Sequence, residues 1–245
     1  MLPGSGRNEI LGTLPMSLRF DAHSHLDQPR SPDLLRVVCG TSEGDWEAVL
    51  AHAASERQAL PMLGLHPWFV AEAAPGWLGR LESLLQDHPA GLGECGLDFS
   101  RKATDRGVQI TAFRHQLRLA HRLHRPVAMH VVRAWGPLLD LLREEGVPPA
   151  GALVHAFSGS PEVARSLHSL GVFLSFSGDL LKPERAALGE ALRAVHPDHL
   201  LLETDGRGEL ATVIAGAAAL LGGTAEDLAA QTWENGQRCF KELLA

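Results

Sequence analysis

The stretch FDAHSHLD, residues 20–27, follows the short apolar-leaning run SLRF and places two histidines two positions apart. Residues i and i+2 of a strand point to the same side, so His23 and His25 could hold one metal ion. The two imidazoles could equally form hydrogen bonds at a strand edge, and one such pair does not decide between these readings. The arrangement is informative because it recurs: a short apolar run that ends in an ionisable side chain.

Eight short apolar runs of this kind are predicted to be strands, and amphipathic stretches with apolar residues three and four positions apart lie between them. The predicted strands are 17–23, 34–40, 60–66, 90–96, 125–131, 151–157, 171–177 and 199–205. Alternating strands and helices favour a parallel sheet. Eight repeats in a chain of this length favour an α/β fold of the closed (β/α)8 TIM-barrel type. An open doubly wound sheet is the alternative, but no GxGxxG turn supports it.

The composition predicts one domain, residues 16–245, preceded by a flexible arm over residues 1–15. No run of about 20 apolar residues indicates a membrane span. The three cysteines are too few for a disulfide framework, so we expect a reducing cytoplasm. A formal net charge of −7 argues against a protein that coats nucleic acid by bulk charge. An enzyme that uses metal ions and a local basic patch stays compatible with that charge.

Barrel enzymes carry their active groups at the carboxyl ends of the strands. Six of the eight predicted strands end in ionisable residues, namely His23 and His25, His66, Glu94 with Asp98, His130, His155, and Glu203 with Asp205. Because charged side chains are seldom buried without partners, this set predicts a divalent metal centre. Imidazoles and carboxylates suit Zn or Mn, with Mg less well matched to histidine. The set suffices for two ions, with Glu94 as the bridge and Asp205 as a ligand that also takes a proton from water.

The motifs FDAHSHLD, GLHPW, GLGECGLDF, PVAMH, VHAFSG and LLLETD resemble those of the TatD family of metal-dependent deoxyribonucleases, within the amidohydrolase-like barrels. The resemblance runs from about residue 18 to residue 243 and includes ENGQRCF near the end. It implies one to three divalent ions and hydrolysis of DNA phosphodiesters by a metal-activated water, commonly from the 3′ end. Carried over by motif, it implies a first ion on His23, His25, Glu94 and Asp205, and a second on Glu94, His130 and His155.

Two departures from the family pattern concern the substrate side of the site. Asp205 runs directly into GRGELATVIAG where the family usually has a longer loop, and Arg133 stands one place later than the usual basic residue. The chain also has no tyrosine, so an aromatic such as Trp68 would have to stack on a base. We expect substrate contacts from His66, Trp68, Asp98, Arg101 and Arg133 and orientation of the metal ligands by Asp21 and Glu203.

Three functions stay open at this stage. The first is a deoxyribonuclease that acts on single-stranded DNA or frayed ends. The second is a small-molecule amidohydrolase or phosphoesterase of the same fold, which the short segment after Asp205 favours. The third is a TatD-like subunit that binds a protein partner in a larger nucleic-acid-processing or defence complex. Arginines 114, 118, 122 and 125 could form a nucleic-acid track, but an outer helix face in contact with solvent explains them better.

Overall fold

The computed structural model describes residues 19–26, 32–100 and 105–245. Within these ranges eight parallel strands form one sheet, and each strand pairs with the next in chain order. The strands are β1 Arg19–Ser24, β2 Leu34–Cys39, β3 Ala59–Leu63, β4 Gly91–Asp98, β5 Val127–Val132, β6 Ala152–Val154, β7 Phe173–Phe176 and β8 Leu200–Leu202. The predicted (β/α)8 architecture is therefore confirmed. The prediction of an arm over residues 1–15 lies outside the described residues.

From β2 onward, the described helices connect successive strands, and further helices follow the last strand. The described α-helices are α1 Trp46–Ser55, α2 Trp77–Asp87, α3 Arg106–Leu123, α4 Trp135–Glu145, α5 Pro161–Ser169, α6 Ala187–Ala194, α7 Leu210–Leu221, α8 Ala225–Cys239 and α9 Lys241–Leu244. Short 3-10 segments span Gly178–Leu181, Pro183–Arg185 and Pro197–His199. Several helices begin at side-chain caps; the Ser160 side chain, for example, accepts from the Val163 amide, with Pro161 in the first turn.

The core has two layers, separated by the sheet. The larger apolar cluster packs the helices against the outer face of the strands, as in the contact between Leu92 and its helical neighbours. The second cluster draws on alternate residues of every described strand except β4, such as Phe20, Leu35 and Leu153, together with the closing helices α8 and α9. Phe240 stacks on Phe20 with 5.9 Å between ring centroids, so these helices fill the amino end of the barrel. The carboxyl end is left for polar groups.

Strand register changes at the two positions that matter most for those polar groups. The pairing of β1 with β2 shifts between Asp21 and Ser24, and the pairing of β4 with β5 shifts between Leu92 and Cys95. Such irregularities re-aim the side chains that follow them. Simple alternation therefore does not explain why the buried His23 turns into the barrel mouth directly after the inward Ala22.

The barrel closes between β8 and β1. In the described residues, one backbone hydrogen bond joins the two ends, from the Asp205 amide to the His23 carbonyl at 3.0 Å. The buried Asp21 carboxylate adds two more, because it accepts from the Thr204 amide at 2.9 Å and from the Thr204 hydroxyl at 2.7 Å. Hydrogen bonds to the Asp21 side chain thus join β8 to β1, whereas backbone ladders join the other neighbouring strands.

Among the described residues, no single helix is long and apolar enough to cross a membrane. Helices α7 and α8 reach the required length and hydropathy only as a pair, and the chain bends by 108° between them.

Candidate metal centre

The Glu94 carboxylate lies at the middle of the carboxyl end of the barrel, and each of its oxygens faces a different group of side chains. Oε1 lies 2.9 Å from His155 Nε2, 3.0 Å from His130 Nδ1 and 3.2 Å from His66 Nε2. Oε2 lies 3.3 Å from His23 Nε2 and 3.8 Å from His25 Nε2. One buried carboxylate therefore touches two sets of imidazoles at once.

Asp205 completes the set around Oε2. Its Oδ1 atom lies 3.7 Å from His25 Nε2 and 4.0 Å from His23 Nε2. The residue follows β8 with a φ of 49°, in the left-handed region, so the chain turns sharply as its carboxylate points into the site. About a quarter of the Asp205 side chain is exposed, whereas Glu94 is almost fully buried. Asp205 is thus the carboxylate that solvent can reach.

His66 has a closer relation to the centre than the sequence suggested. We predicted a substrate contact, but its Nε2 atom approaches Glu94 as closely as the predicted ligands do. His66, Glu94 and His130 form one of the groups in which single ligand atoms lie within 4.8 Å of one another. His66 follows β3 by three residues, and its backbone amide donates to the Thr41 carbonyl at 2.8 Å. The residue can therefore act as a ligand as well as a substrate contact.

Glu203 is fully buried behind His155. Its Oε1 atom lies 3.4 Å from His155 Nδ1 and accepts from the Ala156 amide at 2.9 Å, while Oε2 accepts a short hydrogen bond from the Ser175 hydroxyl. A carboxylate in this position holds the imidazole ring and selects the nitrogen that faces the site. Asp21 contacts the Thr204 side chain and the backbone amide of His23, so it acts on the β1 end rather than on an imidazole ring.

Asp98 connects the centre to the rim of the barrel. Its Oδ2 atom accepts a 2.6 Å hydrogen bond from Trp68 Nε1 and lies 3.4 Å from His130 Nε2. The Trp68 side chain is about half exposed, at 49%, and its ring centroid lies 6.2 Å from that of His130. The predicted aromatic is therefore a fixed, partly exposed surface beside the site.

The two predicted phosphate contacts differ in what the structure describes. Arg101 lies outside the described residues. Arg133 directly follows β5, is exposed and has a φ of 54°. Its position is at the same end of the barrel as Glu94. The Arg106 guanidinium lies 4.8 Å above the Phe99 ring. Arg114, Arg118 and Arg122 pair with acids of neighbouring helices, as Arg118 does with Glu145 at 2.8 Å, and Arg125 donates to the Leu85 carbonyl at 2.8 Å. These contacts agree with an outer helix face.

Charge balance within the centre is set by its carboxylates and imidazoles. Burial raises the pKa of Glu94, but the neighbouring His155 and His23 outweigh it and hold that pKa well below its usual value. Burial lowers the pKa of His155, yet Glu94 and Glu203 raise it well above the ordinary value. Burial also lowers the pKa of His66. The Glu94 carboxylate is therefore ionised at neutral pH, and a proton on His155 compensates its charge.

These donors fit divalent metal ions. The buried His23 Nε2 atom has no hydrogen-bond partner among the described residues, although an isolated polar atom in a protein interior is costly. Five imidazoles and two carboxylates, spaced by 2.9 to 4.0 Å, form a nitrogen and oxygen donor set of the kind that Zn and Mn accept. A bound cation would take over the charge compensation that protons provide, so its binding would release protons.

Two glutamines of α3 hold the strand ends in place, and the sequence analysis missed both. Gln116 accepts from the Leu65 amide at 2.8 Å and donates to the Leu65 carbonyl at 3.1 Å. Gln109 makes the same pair of bonds to the backbone of Asp98, at 2.7 and 2.9 Å. The signal was present, because both polar residues occupy the apolar face of the helix, seven positions apart. They fix the backbone next to His66 and at Asp98.

A parallel eight-stranded barrel with a histidine and carboxylate centre at its carboxyl end defines a metal-dependent hydrolase. The chain belongs to the TatD related DNase family, since residues 20–241 match that family. The resemblance noted from the sequence is therefore confirmed.

Individual relatives agree with this assignment. The uncharacterized metal-dependent hydrolase YabD of Bacillus subtilis is 26% identical over 253 residues, which cover 91% of this chain and 98% of the relative. The 3′-5′ ssDNA/RNA exonuclease TatD of Erwinia tasmaniensis is 31% identical over 223 residues, covering 77% of this chain and 85% of the relative. The crystal structure of YJJV, a TatD homolog from Escherichia coli K12, superposes with a TM-score of 0.84 at 26% identity, covering 91% and 98% of the two chains.

Proposed function

We propose that this chain is a two-metal deoxyribonuclease that removes nucleotides from the 3′ end of single-stranded or frayed DNA. The observation that carries the proposal is the position of Glu94, whose two carboxylate oxygens face two separate groups of histidines. A carboxylate shared in this way is typical of centres that hold two ions side by side. The family match and the relative named as a 3′-5′ ssDNA/RNA exonuclease support the same class of substrate.

We assign the first ion to His23, His25, Glu94 and Asp205, and the second to Glu94, His130 and His155, with His66 as a further candidate ligand. The ions supply Lewis acidity and lower the pKa of bound water; Zn, Mn and Mg are the candidates. Asp205 takes the proton from the attacking water, because it is the partly exposed carboxylate of the set. Its pKa is lowered, since hydrogen bonding from His25 and the charges of His155 and His23 outweigh burial, so it stays ionised and able to accept a proton.

The rim of the site favours an unpaired base. Trp68 is half exposed, and the bond to Asp98 fixes its indole ring near His130. Any base can stack on such a ring, but only if it is not already stacked within a duplex. Arg133 at the end of β5 and Arg101 are the candidates for contacts with phosphate, which position a strand without reading its sequence.

The experiment uses metal-stripped protein and oligonucleotides labelled at the 5′ end, single-stranded or duplex, with Mg, Mn or Zn added back. A ladder that shortens one nucleotide at a time is expected with the 5′ label, because cleavage proceeds from the other end. Phosphorothioate linkages at the 3′ end should block it, whereas the same linkages at the 5′ end should not. Single-stranded DNA should be degraded faster than a blunt duplex.

The matched variants are E94Q and D205N, which keep the side-chain shape and remove the charge, with D140N on the exposed face of α4 as the control. We expect E94Q and D205N to lose activity by at least 100-fold and D140N to retain it. Full activity of E94Q would exclude this mechanism. Degradation that starts at the 5′ end would be compatible with the proposed metal centre but would overturn the proposed direction of cleavage.

A small-molecule hydrolase is the second candidate, and the short connection after Asp205 favours it. Helix α7 begins at Leu210, so only a short segment separates the end of β8 from the helix. This short segment offers few residues for contacts with a long substrate. Faster hydrolysis of a simple phosphodiester, amide or lactone than of DNA would support this candidate. The predicted protein partner and the reducing cytoplasm, the latter consistent with three buried free cysteines, stay proposals.

A further inference from the structure

Three histidines lie together at the opposite end of the barrel from Glu94. His168 is in the last turn of α5, His196 directly precedes the 3-10 segment that leads into β8, and His199 is the last residue of that segment. Because α5 runs back from the carboxyl ends of the strands, its last turn lies at their amino ends, next to the start of β8. We call these three residues the lower histidine cluster. None of them belongs to the candidate metal centre.

The geometry of the lower histidine cluster suits a metal ion. One ring nitrogen of each residue lies within 4.8 Å of one ring nitrogen of each of the others. The His168 ring is 4.6 Å from the His196 ring and 4.7 Å from the His199 ring, measured between centroids. The Nδ1 atoms of His168 and His199 are buried and have no hydrogen-bond partner among the described residues. Two unpartnered imidazole nitrogens in one cluster are unusual unless something binds them.

The segment that carries two of these histidines is held firmly. Asn235 of α8 donates to the Pro197 and Leu200 carbonyls, both at 2.7 Å, and Arg238 donates to the Asp198 carbonyl at 2.5 Å. The Phe173 ring packs against His199 with 4.6 Å between centroids. The backbone on both sides of the 3-10 turn is therefore fixed before any ligand arrives.

Asp198 orients the third imidazole. Its backbone amide donates to His196 Nδ1 at 3.3 Å, and its Oδ2 atom lies 3.8 Å from the same nitrogen. Because Nδ1 accepts from that amide, the neutral His196 ring carries its proton on Nε2. Metal binding through Nε2 would require the proton to move to Nδ1, where the Asp198 carboxylate could accept a hydrogen bond from it.

We propose that the lower histidine cluster binds one transition-metal ion, of the Zn, Cu, Ni or Co type, and that this ion ties α5 to the start of β8. Three imidazoles select such ions over Mg or Ca, which prefer oxygen ligands. Around zinc the ring nitrogens would approach to about 3.3 Å, so the half-exposed His196 has to turn inward.

The test counts metal ions in the whole protein and does not depend on its nuclease activity. Metal-stripped protein is dialysed against zinc, washed, and analysed for bound zinc by mass spectrometry. Wild-type protein and the H168Q/H196Q variant are compared, with H115Q as the control because His115 is an exposed histidine of α3. We expect H168Q/H196Q to bind one zinc ion fewer than wild type, and H115Q to bind the same number.

Cobalt provides a second readout in a background where the upper centre is weakened by E94Q and D205N. Addition of Co²⁺ should produce visible d–d absorption, and H196Q should abolish it. H196Q alone changes a half-exposed side chain, so its fold is expected to survive if the double variant fails to fold. Equal zinc content in wild type and H168Q/H196Q, or cobalt absorption that H196Q leaves unchanged, would overturn the proposal.

Discussion

Trp68 and Asp98 show how one hydrogen bond connects the rim of the site to its centre. The indole N–H donates to the Asp98 carboxylate, which in turn faces His130. The aromatic surface is therefore held in a defined position relative to a proposed metal ligand. A ring that is held in place before the substrate arrives loses little freedom on binding. The contributions of the aromatic ring and of its N–H group can therefore be measured separately by mutation of Trp68.

We expect W68A to raise KM for single-stranded DNA by about 10-fold, because base stacking on an aromatic contributes about 1–3 kcal/mol. W68F keeps a ring but not the bond to Asp98, so its KM should lie between those of wild type and W68A. Steady-state kinetics on a short oligonucleotide measures both. W77F serves as the control, because Trp77 is a partly buried aromatic at the start of α2, whereas Phe157 is fully buried. An unchanged KM in W68A would remove the stacking role.

At the level of elements, α3 does more than cover the barrel. Gln116 and Gln109 reach from its buried face to the backbone next to His66 and at Asp98. A glutamine side-chain amide carries both a hydrogen-bond donor group and an acceptor, so it can bond to the N–H and C=O of one residue as a neighbouring strand would. The helix thereby supports the backbone at the carboxyl end of β4 and just beyond the end of β3.

Replacing Gln116 with leucine keeps the volume but leaves the amide and carbonyl of Leu65 without partners. Each buried unpaired group costs about 1–3 kcal/mol, so Q116L should lower the free energy of unfolding by about 2–4 kcal/mol. Urea denaturation of metal-free protein measures the change. The exposed Gln86 of α2 offers the matched control, and Q86L should change stability by less than about 0.5 kcal/mol. A Q116L protein as stable as wild type would contradict this role of α3.

Helices α3 and α4 are also joined by charge. Glu145 pairs with Arg118 and Arg114, and hydrogen bonds from Arg118 and then Arg114 lower its pKa from 4.5 to about 2. A carboxylate with a lowered pKa stabilises the folded state above its unfolded pKa, and this contribution is lost as pH falls from about 4.5 to about 2. The stabilisation should be small because salt and water screen the pair.

E145Q should therefore lower Tm slightly at pH 7 and low salt, and the difference from wild type should shrink as the pH falls below about 4.5. Thermal unfolding at several pH values and at two salt concentrations measures this. E144Q is the control, since Glu144 contacts Arg114 with a largely exposed carboxylate, and it should cost less. A Tm difference that stays constant down to pH 3 would show that the Glu145 charge is not its source.

For the whole molecule, the join between β8 and β1 decides whether the barrel is closed. The Asp21 carboxylate accepts two hydrogen bonds from Thr204, beside one backbone bond between His23 and Asp205. His23 and Asp205, which lie at this join, are both proposed metal ligands. Closure and the proposed metal binding therefore depend on the same few residues.

A double-mutant cycle tests the join. T204V removes one donor and D21A removes the acceptor of both, so D21A should lower the free energy of unfolding by about 3 kcal/mol and T204V by about 1 kcal/mol. The pair should be non-additive by at least about 0.5 kcal/mol because the residues touch. Denaturation of metal-free protein keeps metal affinity out of the measurement. Strict additivity would show that the carboxylate and the hydroxyl do not act together.

Much of this architecture could be predicted from the sequence, because alternating apolar runs and amphipathic stretches report directly on strands and helices. The residues that surround Glu94 could be predicted because they follow strand ends, where a barrel gathers polar groups. The register shifts near His23 and Glu94 could not, since a bulge leaves no mark on an apolar pattern. The contact of His66 with Glu94 could not be predicted either, because it depends on the conformation of the loop after β3 and not on the periodicity of the sequence.

The short turn after Asp205 has a consequence for how this enzyme could change. Asp205, Gly206 and Gly208 all have positive φ values, and the turn ends at α7 without contributing to the sheet. Surface turns of this kind accept inserted segments with little loss of stability, because the entropy of closing a loop grows slowly with its length. A library of loops grafted at residues 206–208 would therefore explore new substrate ranges while the chemistry of the centre stays constant. Insertions in this turn could change the substrate range both in natural evolution and in laboratory evolution.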